Sequence, residues 1–97
     1  MAGYLIANLD VKDADAFAKY REQVVPVIAR FGGRYLVRGG RNLGTEGEPP
    51  KGRIVISEFA SFEEAKAWRY SEAYMKIVTV REREAKSRQF IVEGVGQ

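Results

Sequence analysis

Between Gly3 and Leu9 the chain carries a short apolar run closed by Asp10, a pattern that predicts a first strand. Asp13 then has the place of a helix N-cap, with Asp15 favourably near the helix start. Phe17, Tyr20, Val24, Ile28 and Phe31 recur every three or four residues and mark one face of a helix. Pro26 removes a backbone donor from that helix and is expected to kink its last turns. Gly32 and Gly33 supply the C-cap. Arg34 to Arg38 alternates as a second strand, and a glycine- and proline-rich loop follows from Gly39.

Gly52 to Phe59 predicts a third strand, and Ser61 with Glu64 has the form of a capping box. A helix is expected through Ala65 and Trp68, with a kink at Ser71-Glu72 and a continuation from Tyr74 to about Ala85. Arg88 to Glu93 is the fourth strand, and residues 94–97 form a tail. The order β-α-β-β-α-β predicts one α+β domain over residues 1–97. Its expected architecture is ferredoxin-like, an antiparallel four-stranded sheet with two helices on one face. The other face carries residues such as Ile6 and Leu36, which are too apolar to meet water alone. A second copy or a ligand is expected to cover it.

The alternation assigns side chains to faces. Arg34, Leu36 and Arg38 fall on one face of strand 2, with Tyr35 and Val37 turned toward the helices. Ile54, Ile56 and Glu58 share a face of strand 3, and Tyr4, Ile6 and Asn8 a face of strand 1. Strands 2 and 3 are expected on opposite sides of the sheet, so that Arg38 and Glu58 would pair only across a dimer. Tyr74, Ile77, Val78 and Arg81 lie on one face of the second helix, where an arginine must be paired or reach solvent.

Composition narrows the chemistry. The 97 residues include no cysteine and no histidine. A disulfide framework, a thiolate nucleophile, a Ser-His or Cys-His pair and a His-held haem are therefore excluded. No metal or cofactor is expected. The net charge of +3 arises from 16 basic and 13 acidic residues that are interspersed, as in Arg81-Glu82-Arg83-Glu84, so no phosphate-tracking stripe is indicated. An RNA-recognition module has this strand order too, but its third strand needs stacking aromatics. Here Lys51-Gly52 is followed by Arg53-Ile54-Val55-Ile56, and Leu5 stands where the first strand needs a ring. The run Tyr4–Ala7 is too short for a signal peptide, and nothing approaches the length of a membrane span. The expectation is a cytoplasmic protein without nucleic-acid or membrane partners.

Four segments together resemble a known family. They are Gly32-Gly33-Arg34-Tyr35-Leu36-Val37-Arg38-Gly39-Gly40, Ile56-Ser57-Glu58-Phe59 with Ser61-Phe62, Ser71-Glu72-Ala73-Tyr74 with Arg81, and Phe90-Ile91-Val92-Glu93-Gly94. Over nearly the whole chain the pattern is similar to the domain of unknown function 1330 family, within the dimeric α+β barrels. Ser71-Glu72-Ala73-Tyr74 departs from the Ser-Pro-Glu-Tyr common in that family and lacks its proline. The resemblance implies a homodimer with a cavity between sheet and helices. It names no reaction. Relatives in the wider superfamily include cofactor-free monooxygenases, lactone isomerases and haem-degrading enzymes, an analogy at the level of fold.

The expected site follows. Arg81 and Arg38 would anchor a small, partly apolar anion, and Tyr4 and Trp68 would contact it. Asn8 and Tyr74 would orient a carbonyl or enolate oxygen. Glu58 would be the best available base, with a pKa raised by burial; the plainer reading of the residue is a structural ion pair. The function expected is a small-molecule cavity, with a cofactor-free enzyme as one form. The alternative is a non-catalytic ligand-binding or structural dimer.

Overall fold

The structure, a computed structural model, describes residues 1–96, with the side chains of Val80, Arg83 and Glu84 left aside. Gln97, the last residue of the expected tail, lies outside the described residues. The elements are β1 (Gly3–Val11), α1 (Ala14–Arg30), β2 (Arg34–Arg38), β3 (Arg53–Phe59), α2 (Phe62–Arg69), α3 (Glu72–Met75), α4 (Val78–Glu84) and β4 (Ala85–Glu93). They build a four-stranded sheet in the order β2-β3-β1-β4, each neighbouring pair antiparallel. The helices cover one face, as the sequence predicts for a ferredoxin-like domain.

Local chemistry accounts for the helix ends. The Asp13 carboxylate accepts from the backbone N–H groups of Asp15 and Ala16 at 3.0 and 3.2 Å, and Ser61 Oγ accepts from Glu64 N–H at 3.0 Å. Each satisfies donors that the first helical turn leaves open. Helix α1 runs unbroken past Pro26. It ends through Gly32, whose φ of +77° suits a residue without Cβ. Its apolar face, Phe17, Tyr20, Val24, Val27 and Ile28, is buried against Leu5, Ala7 and Leu9 of β1 and Phe59 of β3.

The second helical segment differs from its expected form. It is three short helices rather than one kinked one. Ser71 makes the first break: its hydroxyl donates to Trp68 O at 2.8 Å and accepts from Tyr74 N–H at 3.1 Å. The second break, at Lys76-Ile77, has no side-chain cap and so no sequence signature. Strand β4 starts at Ala85, three residues before the prediction, because Lys86 and Ser87 pair with Asp10 and Leu9. Ladder bonds hold these polar residues in a strand that their side chains do not announce.

Two further corrections concern the sheet. Strands β2 and β3 are neighbours, not opposite edges, because the loop between them returns the chain antiparallel beside β2. And β2 carries a bulge: Tyr35 faces Ser57 and Val37 faces Ile56, so Leu36 is the extra residue. The bulge shifts the alternation. Arg34 shares the open face with Glu58, whereas Arg38, opposite Val55, turns to the helix side. The expected common face of Arg34, Leu36 and Arg38 does not exist.

Gly52 closes the loop onto β1. Its φ is +80°, and a Cβ there would lie 2.1 Å from the Leu9 carbonyl oxygen and 2.8 Å from Asp10 Cα. Gly39 has a similar φ of +76° but no atom within 3.8 Å of its Cβ position. Gly52→Ala should therefore cost about 3 kcal/mol, strain and clash together, and Gly39→Ala only about 1 kcal/mol. Urea unfolding of the two variants checks this, and equal losses would contradict the clash.

Candidate functional site: a cavity under the helices

The helix-side faces of β1 and β3 are apolar except at Arg53, at the start of β3, and at Ser57. Along β3, Val55, Ser57 and Phe59 point toward the helices, and Ser57 is fully buried. Helix α1 spans this surface without filling it. A cavity of about 410 Å³ remains between sheet and helices, within the size range of ligand pockets. Its floor is Leu5, Ala7 and Leu9, its roof Phe17, Tyr20 and Val24, and its far wall Trp68 and Arg81.

An aromatic cluster fixes that far wall. Trp68 packs on Tyr74 with ring centroids 4.3 Å apart and on Phe59 at 5.6 Å, and Tyr20 meets Tyr74 edge-on at 6.4 Å. The hydroxyls of Tyr20 and Tyr74 are 2.8 Å apart. Arg81 Nε donates to Tyr74 Oη at 3.1 Å, and Arg81 Nη1 donates to Ser87 Oγ. Burial first, and then the adjacent Tyr74 hydroxyl, pushes the Tyr20 phenol far up from its ordinary value. Tyr20 is thus a neutral hydrogen-bonding group and not a base. Burial likewise raises the Tyr35 phenol, against the lowering influence of Arg38, whose guanidinium lies 4.8 Å from the Tyr35 ring centroid.

Three polar groups at the cavity wall are incompletely matched. Arg81 is only 4% exposed, and among the described side chains its partners are neutral oxygens, with no carboxylate. Ser57 Oγ and Trp68 Nε1 are buried without any hydrogen-bond partner. Each unmatched neutral group costs about 1–3 kcal/mol, and a buried charge more. A ligand with an anionic group and an acceptor oxygen would offset these costs. At the rim stand Arg21, Arg38 and Arg53, with Glu22 the sole carboxylate among the described lining residues. Three guanidiniums against one carboxylate make the potential here positive.

The sheet divides the expected site residues. Arg81, Arg38 and Trp68 line the cavity. Tyr74 does not; it is fully buried behind the wall and holds Tyr20 and Arg81. Glu58, Tyr4 and Asn8 lie on the opposite face and cannot reach a ligand under the helices. Asn8 Nδ2 donates to the carbonyls of Lys51 and Arg53 at 2.6 and 3.3 Å, tying the long loop to β1. Glu58 accepts from Arg34 Nε at 2.8 Å and from Tyr4 Oη at 3.2 Å. Its carboxyl is held below the ordinary value, chiefly by the Arg34 hydrogen bond, which reverses the expectation of a raised pKa. Ser57 and Tyr20 also line the cavity, beyond the residues the sequence points to. Ser57 was detectable as the one polar residue in the Val55-Ser57-Phe59 alternation.

This topology and a cavity beneath the helices define a ferredoxin-like α+β protein with a small-molecule-sized interior. The chain belongs to the family described as Domain of unknown function (DUF1330), which matches residues 2–95. No curated protein matches it in sequence. Among solved structures, a protein of unknown function from Rhodopseudomonas palustris is 19% identical, with a TM-score of 0.77 over 99% of this chain and 84% of that one. A dimeric ferredoxin-like protein of unknown function from Jannaschia sp. CCS1 is 9% identical, with a TM-score of 0.67 over 97% of this chain and 100% of that one. SnoaB, a cofactor-independent oxygenase from Streptomyces nogalater, is 12% identical, with a TM-score of 0.60 over 99% of this chain and 95% of that one. These likenesses show a shared fold. No helix among the described residues is long and apolar enough to cross a membrane.

The Glu58 ion pair predicts a pH effect. A carboxyl whose pKa is lowered on folding favours the folded state above its ordinary value near 4.5, and that contribution disappears as pH falls through the lowered value. The acid limb of stability should be shallower in Glu58→Gln than in the parent. Urea midpoints measured from neutral pH down into the acid range check this; parallel limbs would remove the role assigned to the pair.

Proposed function

We propose that the protein binds a small, largely apolar anion in the cavity under its helices. The supporting observation is the wall itself: Arg81 without a described carboxylate, beside the unpartnered Ser57 Oγ and Trp68 Nε1. Arg81 would hold the anionic group, and Trp68 N–H and the Ser57 hydroxyl would meet a carbonyl or phenolic oxygen. Tyr74 positions Arg81 and Tyr20. Arg38, Arg21 and Arg53 draw the ligand to the mouth. Hydroxyaromatic carboxylates have this combination of a flat apolar body, a charge and an acceptor. The cysteine-free composition supports a cytoplasmic protein, with no oxidising compartment required.

A catalytic form of this reading is favoured by the fold shared with SnoaB, a cofactor-independent oxygenase. The described cavity interior offers hydrogen-bond donors and a cation but no carboxylate base. Turnover there would act on a substrate that arrives already ionised, and the donors would stabilise its negative charge.

A second copy belongs to the proposal. The open face of the sheet carries an apolar row, Val37, Ile56, Ile6 and Phe90, aligned across all four strands. Val37 and Phe90 are 36% and 56% exposed. The Jannaschia protein and a Bacteroides fragilis protein of the same fold are both dimeric. Self-association through this face would bury the row.

Trp68 is the only tryptophan and lies in the cavity wall, so its fluorescence reports binding. Titration with hydroxybenzoates and hydroxynaphthoates should give saturable quenching. Arg81→Gln and Ser57→Ala should each weaken it about tenfold, the equivalent of roughly 1.4 kcal/mol, and Glu58→Gln should not. Absence of quenching across these acids would defeat the binding reading. Mass spectrometry of the bound acids after incubation in air distinguishes turnover from binding. For the second copy, light scattering should give twice the 10.9 kDa chain mass, and Ile6→Lys should halve it. A monomeric parent at micromolar concentration would exclude the dimer.

A further inference from the structure

Arg81 stands in a partition. On its other side a second cleft, about 450 Å³, opens between α2 and β4. Leu5, Arg81 and Gln89 belong to the walls of both spaces. The two differ in chemistry. The charged wall residues of the second cleft are Lys66, Arg69 and Arg81, and no carboxylate among the described residues lines it. Three cations thus line one cleft with no described carboxylate in its wall, and one of them, Arg81, is nearly inaccessible to water.

The cations are held in place. Arg69 Nε donates to Gln89 Oε1 at 2.7 Å, and its guanidinium lies 5.2 and 5.6 Å from the ring centroids of Tyr74 and Tyr70. Its Nη1 is 3.7 Å from Met75 Sδ, a weak acceptor. Arg81 is fixed by Tyr74 and Ser87. The Ser87 hydroxyl, which accepts from Arg81, keeps its own hydrogen for another acceptor. Among the described residues Lys66 pairs with one acid, Glu63 at 3.8 Å, in an exposed pair that costs little to break. Neither arginine has a carboxylate partner among the described residues. Two preorganised guanidiniums, an ammonium and a hydroxyl donor match a doubly charged tetrahedral oxyanion. A carboxylate, with one charge, would leave a second guanidinium uncompensated.

We infer that this cleft is a phosphoryl-binding site, with Arg69 and Arg81 gripping the dianion and Lys66 at its rim. The apolar walls Phe62 and Tyr70 flank it, so the group is either free phosphate or the phosphate of a phosphomonoester with a flat apolar body. The site is separate from the ligand of the larger cavity, and Arg81 links the two.

Isothermal titration of the intact chain with sodium phosphate, against sodium chloride at matched ionic strength, tests it. Phosphate should bind saturably and chloride should not. Arg69→Gln and Lys66→Gln should each weaken phosphate about tenfold, whereas Ser57→Ala, which alters only the larger cavity, should leave phosphate affinity unchanged. Lys66 is exposed, so its variant keeps the fold and the test intact. Phenyl phosphate identifies the source: tighter binding than phosphate assigns the cleft to a phosphomonoester, and equal binding assigns it to the free anion. A phosphate signal matched by chloride, or unchanged affinity in both Arg69→Gln and Lys66→Gln, overturns the site. Loss of hydroxyaromatic binding with phosphate binding intact would leave this cleft standing while removing the function proposed above.

Discussion

The structure turns on a guanidinium buried without a described carboxylate. Arg81 sits at the meeting point of α4, β4 and the aromatic cluster, and what surrounds it is arranged to keep it there. Tyr74 must present its hydroxyl to Arg81, which requires α3 to start where it does, and that start is set by the two hydrogen bonds of Ser71. Tyr74 in turn fixes Tyr20 and stacks on Trp68. Neutral oxygens give a guanidinium geometry but no compensating charge. A cluster of this kind is a poor way to gain stability alone. The anion proposed for the cavity would supply the charge these neutral oxygens do not.

The positions of the two spaces reinforce this. Arg81 lines both, so the side chain can be approached by negative charge from either side. Toward α1 it meets apolar walls and two unpaired neutral groups; toward α2 the charged residues around it are Lys66 and Arg69. With both proposed ligands, one guanidinium would serve an apolar anion and a hydrophilic one in different directions, and occupancy on one side would alter the field felt on the other.

Much of the fold was legible because local chemistry and long-range topology agree. Asp13 and Ser61 cap helices where sequence places them, the Phe17-Tyr20-Val24-Ile28 spacing buries one face, and β2 has its predicted bounds. The site was legible only in part. Arg81 and Trp68 show as a charge and a ring on helical apolar faces, and both line the cavity. Arg38 lines it as well, but for a reason strict alternation hides: the bulge at Leu36 turns it to the helix side. Glu58, Tyr4 and Asn8 failed as site residues because alternation gives a face relative to neighbours, and the cavity is on the other one. Adjacency of β2 and β3 then supplied Glu58 with Arg34, which lowered a pKa that burial was expected to raise.

That misplaced polar set has a meaning of its own. Arg34, Glu58 and Tyr4 form one row of the open face, directly beside the apolar row Val37, Ile56, Ile6 and Phe90. An apolar stripe alone would let a second sheet settle in several registers. A charge pair next to the stripe does not, because a shifted partner would cover Glu58 with carbon and remove its remaining access to water. Apolar area drives such an association, and the flanking ion pair contributes little energy while it stays at the surface. In the dimer proposed above its effect would be to penalise wrong alignments, so that the sheet which floors the cavity on one side would favour one way of being covered on the other.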